Sequence, residues 1–142
     1  MDTDGSRTAR SERALAAVPA ASSLQLEIGN AVVRANKELF GRGPTKARVI
    51  VHGDVVVCVM ADCLTTAERT LVQHGRHAAV VALRAEMNEI ARPQLTRVVE
   101  RLTGRRVSAY TNGIDVEAAE QTATFRLDAA ALGHTDIQVS TR

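Results

Sequence analysis

The sequence predicts an α+β fold: a two-layer sandwich in the order α-β-β-α-α-β-β, with a four-stranded, mainly antiparallel sheet and helices on one face. Three observations predict it. A helical apolar stripe ends abruptly at Gly41-Arg42-Gly43-Pro44, and β-branched residues begin directly after it. Two pairs of short apolar runs surround Gly53-Asp54 and Asn112-Gly113, both strong hairpin dipeptides. Between those hairpins lies a second long helical pattern. Strand order is not fixed by these signals.

The first helix starts at Ser22 or Ser23, either of which can act as N-cap. Leu24, Ile28, Ala31, Val32, Ala35 and Leu39 form its apolar stripe, leaving Arg34, Lys37 and Glu38 to solvent. Gly29 within it costs about 1 kcal/mol relative to alanine and suggests close approach of another backbone. Gly41 takes the left-handed position after the helix, and Pro44 forces an extended chain into the strand. The same segment offers an anion-binding reading, because Gly43 and its neighbours could present N–H groups beside Arg42, Thr45 and Lys46. It lacks the spacing and context of a P-loop.

Lys46–Val51 and Val55–Met60 make the first hairpin. The second of these runs is apolar at every position, so it should lie centrally in the sheet, or its outer face should be covered by a partner. Thr65 and Glu68 form a capping box for a short helix that stops before Gly75. A long helix then spans about Arg76 to Leu102, with Val80, Leu83, Met87, Ile90, Leu95, Val98 and Leu102 as its stripe. Pro93 predicts a kink or break near Arg92, and Gly104 ends the helix. Arg106–Thr111 reads as a strand, Asn112-Gly113 as its turn, and Ile114 to Glu120 as a loop or irregular edge. The return strand starts near Gln121.

The domain is therefore expected over residues 22–128, after an arm at 1–21 and before a tail at 129–142. With 142 residues and 45% hydrophobic content there is material for one core, and it is aliphatic, because Phe40, Tyr110 and Phe125 are the only aromatics. A net charge of +2 gives no nucleic-acid or membrane signature. No stretch approaches the roughly 20 apolar residues of a membrane span, and no secretory leader is evident. A cytoplasmic, reduced location is expected. Cys58 is then a small buried apolar residue, and a disulfide to Cys63 is not needed.

Several segments together resemble a known family. They are Leu26-Glu27-Ile28-Gly29-Asn30, Phe40 to Ala47, Gly53-Asp54, Leu64 to Leu71, and Leu102 to Val107. In combination they resemble the sodium-translocating membrane-potential-generating system MpsC family, formerly a bacterial domain of unknown function. The resemblance covers roughly residues 23–128. It implies an accessory component linked to a membrane sodium or inorganic-carbon transport system, and brings no catalytic residue with it.

Candidate chemistry is sparse. No nucleophile elbow, dinucleotide fingerprint or paired-carboxylate motif is present, so a non-enzymatic role with no cofactor or metal is expected. His74 and His77 flank Gly75, which separates them as a metal pair. Arg97, Arg101, Arg105 and Arg106 gather at the end of the long helix, where cations suit its dipole. They would form an anion patch with Arg42 and Lys46 if the two glycine-ended helix termini were adjacent. The order α-β-β-α-α-β is also similar to the type II KH arrangement, so the alternative is a nucleic-acid or anion-binding module. Gln73 to His77 has only one of that module's two glycines, which disfavours nucleic acid. The expected partners are another protein, through a membrane transport complex, and a second copy forming a homodimer.

Overall fold

The computed structural model describes residues 23–129; the predicted arm and almost all of the predicted tail lie outside them. Its elements are α1 (Ser23–Phe40), β1 (Lys46–His52), β2 (Val55–Ala61), α2 (Thr66–Gln73), α3 (His77–Thr103), β3 (Val107–Asp115) and β4 (Glu120–Leu127). The predicted order and class hold. All three strand pairings are antiparallel, in the order β1-β2-β4-β3. β2 and β4 are central, and β1 and β3 are the edges.

The local rules act where the sequence places them. Gly41 and Gly104 take positive φ after α1 and α3, and each donates to a carbonyl four residues back. Thr65 and Glu68 form the expected reciprocal cap on α2. His52 pairs with Val55 across a two-residue loop in which Gly53 has φ 58°. Gly29 admits a side chain rather than a backbone: a Cβ there would lie 3.4 Å from Val49 Cγ2.

The core lies between the helices and one face of the sheet. Ile28, Val32 and Ala35 of α1 and Ala91, Leu95 and Val99 of α3 meet Val56, Cys58 and Met60 of β2. Ala123, Phe125 and Leu127 of β4 complete that layer, with Tyr110 tilted against Phe125 at 5.0 Å between ring centres. A smaller cluster of Cys63, Leu64, Val80 and Val116 lies beside α2.

Three expectations are corrected. Asn112-Gly113 is no turn: both residues lie inside β3, opposite Ala123 and Thr122. The chain reverses at residues 116–119, where Ala119 takes φ 53° and Asp115 Oδ1 accepts from Ala118 N. The longer strand wins because Asn112 hydrogen-bonds inward and Ile114 packs against the smaller cluster. Of the kink or break expected at Pro93, the break is absent: α3 is one helix through it, because the carbonyl that loses a donor belongs to exposed Glu89, where solvent can satisfy it. The α3 stripe holds at Val80 and Leu95, which are buried, but fails at two other positions. Leu83 and Ile90 are exposed, at 44% and 62%, while Arg84 is 1% exposed on the buried face.

Candidate functional site: a buried arginine network, an open sheet face and a free edge

The most polar feature of the interior is centred on Arg84. Its Nε and one terminal nitrogen both donate to Glu68, each at 2.7 Å. The other terminal nitrogen donates to Gln121 Oε1 at 2.7 Å, and the Cys63 carbonyl accepts as well. The guanidinium carbon stands 3.9 Å from the centre of the Phe40 ring. From Gln121 the network runs to Asn88 and Asn112, and Asn112 donates to the Tyr110 hydroxyl. Among the described residues no buried side-chain nitrogen or oxygen is left without a partner. Burial alone would raise the Glu68 pKa; hydrogen bonds from Arg84 and Thr65, with the charge of Arg84, outweigh it and hold the carboxylate low. A fully satisfied network of this kind fixes α2, α3 and β4 to one another.

The buried thiols are insulated from chemistry. Burial pushes Cys58 up to about 12 and also raises Cys63, and both are free of any disulfide. Among the described residues no cluster of three or more His, Cys, Asp or Glu is placed to hold a metal. His77 is engaged by Glu117 of the β3–β4 turn.

The predicted anion residues fall at two ends of the sheet. Arg42 Nη1 donates to the carbonyls of Asp62 and Leu64, and Arg42 Nη2 pairs with the Asp62 carboxylate at 2.7 Å. Asp62 also receives Arg69; the Arg42 hydrogen bond is the main reason its pKa is lowered. Gly43 sits tightly under α1, where an added Cβ would lie 3.3 Å from the Val33 carbonyl. Thr45 and Lys46 are exposed at the start of β1. Arg105 lies at the far end, donating to the Gly53 and Asp128 carbonyls. Arg106 is exposed beside it, its carbonyl accepting from Asp128 N. Arg97 donates to the Pro93 carbonyl, and Arg101 is exposed one turn further on. The seven residues of β1 separate the two groups by roughly 20 Å. The helix termini are therefore not adjacent, and one chain does not bring these residues into a single patch.

The sheet has a second face, away from the helices. β2 alternates: Val56, Cys58 and Met60 are buried, while Val55, Val57 and Val59 point the other way and are half-buried only by their neighbours. The strand registers place Ile50 and Thr124 beside Val57, and Thr122 beside Val59. No described element covers this aliphatic and threonine surface. A groove lies at its β1 side, where Gln25, Leu26, Gly29, Asn30 and Val33 of α1 face β1 residues.

With this geometry in view, the comparison with known families is decisive. Residues 20–129 match the model of the Na+-translocating membrane potential-generating system (MpsC) family. The chain belongs to the MpsC family. The match spans every described element. Neither a curated protein nor a solved structure matches the chain. Among the described residues of this MpsC-family chain, no helix is long and apolar enough to cross a membrane.

Sequence reasoning found Glu68 as a cap but missed Arg84, Asn88, Asn112 and Gln121. An arginine within a helical pattern reads as a solvated residue. The available signal was spacing: Arg84 sits four residues after Val80 and seven before Ala91, on the stripe that is buried.

Proposed function

We propose that this chain is a non-enzymatic, cytoplasmic accessory module of a sodium-linked membrane transport system, and that it works through protein contacts. Family membership over residues 20–129 carries the reading. The family resemblance extends that reading to inorganic-carbon transport. The engaged interior supports a structural role for the Arg84 network, and the uncovered sheet face supplies a surface for contact. We further propose that a second copy packs on that face. Val55, Val57, Val59 and Ile50 form an apolar strip between the smaller polar Thr122 and Thr124 and the cationic rim of Lys46 and Arg48. Two such sheets can stack face to face with interdigitating side chains.

The test is recovery of the tagged chain from detergent-solubilised membranes of its native cell. Membrane transport subunits should co-purify. Recovery of nucleic acid would favour the KH-like alternative, and recovery of neither would reject the accessory role. Light scattering at micromolar concentration should give twice the 15.2 kDa chain mass, and Val57→Glu should return it to the single-chain mass. A monomeric wild type would count against the homodimer.

A further inference from the structure

β1 is an end strand, so one row of its main-chain N–H and C=O groups has no strand beside it among the described residues. The hydrogen-bond alternation identifies that row. Leu127 N donates to the Asp54 carbonyl, so Val55 makes no direct exchange with Arg126 and turns its polar groups toward His52. His52, Ile50 and Arg48 then bond inward to β2, and Ala47, Val49 and Val51 present theirs outward.

The same edge borders the groove between α1 and β1, which encloses about 670 Å3. Gly29 and Val49 bring its walls together, and Val33 and Pro44 extend the apolar lining. Leu26 and Ile50, both exposed large apolar side chains, stand at its rims. Strand alternation sends the Lys46 and Arg48 side chains to the face away from α1, both exposed, with Arg48 also bordering the groove. Neither makes an ion pair or a side-chain hydrogen bond among the described residues.

We propose that β1 takes an extended segment of a partner protein as a fifth strand, and that this segment alternates apolar and acidic residues. The inference rests on the reading that the chain works through protein contacts. An added strand would lie about 4.8 Å from β1 and send alternate side chains to opposite faces. Those on the helix side enter the groove over Gly29, Val33 and Val49, which calls for apolar groups. Those on the other side lie beside Lys46 and Arg48, which calls for carboxylates. A second copy is the wrong occupant: β1 carries no acid, so self-pairing would gather the cations of both copies on one face.

The test is fluorescence anisotropy of the full chain with a labelled nine-residue peptide of alternating valine and glutamate. Binding should be saturable. Replacing the peptide's glutamates by lysines should weaken it about tenfold or more, as should the double variant Lys46→Glu/Arg48→Glu. Backbone N-methylation of one alternate set of peptide residues should abolish binding, while methylation of the other set leaves it intact, because only one row of N–H groups faces β1. Equal effects of the two sets, or equal binding of the lysine peptide, would overturn the proposal. So would undiminished peptide binding by Lys46→Glu/Arg48→Glu. Leu83→Lys, on the outer side of α3, should not alter peptide binding. Failure of the peptide with successful recovery of a membrane partner would reject this edge alone; peptide binding without such recovery would reject the transport assignment alone.

Discussion

Glu68→Gln is the perturbation that most sharply probes the interior. The substitution keeps the side chain's size and one carbonyl acceptor, and removes the charge facing Arg84. Arg84 and Glu68 are each 1% exposed, so water cannot replace the lost partner. Breaking a buried pair by removing one charge costs about 3–5 kcal/mol, a large part of the 5–15 kcal/mol that typically holds a domain together. The Gln121 and Cys63 acceptors continue to bind the guanidinium, which places the expected loss toward the lower end, near 3 kcal/mol. Arg84→Met should cost a similar amount by stranding the carboxylate. The double variant should cost less than the two single losses combined, by about 1 kcal/mol or more, because no lone buried charge remains. The assay is urea unfolding followed by far-UV circular dichroism at neutral pH. A loss below about 1 kcal/mol for Glu68→Gln, or strict additivity in the cycle, would refute the description of this pair as a buried, mutually dependent unit.

Other outcomes follow from the same structure. Stability should fall as pH drops below about 4 to 4.5, the ordinary carboxylate range, because Glu68 and Asp62 have lowered folded-state pKa values; their contribution is present above that range and lost as pH falls through the folded values, and Asp62→Asn should flatten part of the acid limb of a thermal-melt series. Gly113→Thr should be neutral or stabilising by up to about 1 kcal/mol, since Gly113 lies in a strand and an added Cβ meets open space; clear destabilisation would restore the turn reading. Leu95→Ala should cost about 2–5 kcal/mol in denaturant unfolding, whereas Ile90→Lys should change stability by about 0.5 kcal/mol or less. Cys58 and Cys63 should resist a thiol reagent in the native protein and react once denaturant is added; rapid native labelling would contradict their burial.

The sequence made the elements legible where a local rule had one outcome. Gly41, the Thr65–Glu68 box and Gly104 set helix ends through backbone geometry alone, and the structure uses all three. The all-apolar run of β2 correctly announced a central strand. Errors arose where tertiary contacts outweighed local preference. Asn112-Gly113 has strong turn chemistry, yet Gln121 and Asn88 both donate to Asn112 and keep it in β3. Along α3, Val80 and Leu95 are interior as the periodicity predicts, but Leu83 and Ile90 are not; the buried face carries Arg84 instead, which its ion pair with Glu68 holds inside. The candidate anion residues were identifiable by type, but their separation along β1 depended on the direction of the chain after Gly43, which composition does not encode.

The central claim, that this MpsC-family chain acts through its open sheet face and free edge, is tested most directly by photocrosslinking in the native cell. A photoreactive residue at position 57 should yield protein adducts, including one with a membrane component, while the same residue at position 83 on the outer side of α3 should yield few. Adducts with nucleic acid alone, or protein adducts from position 83 and none from 57, would contradict the account.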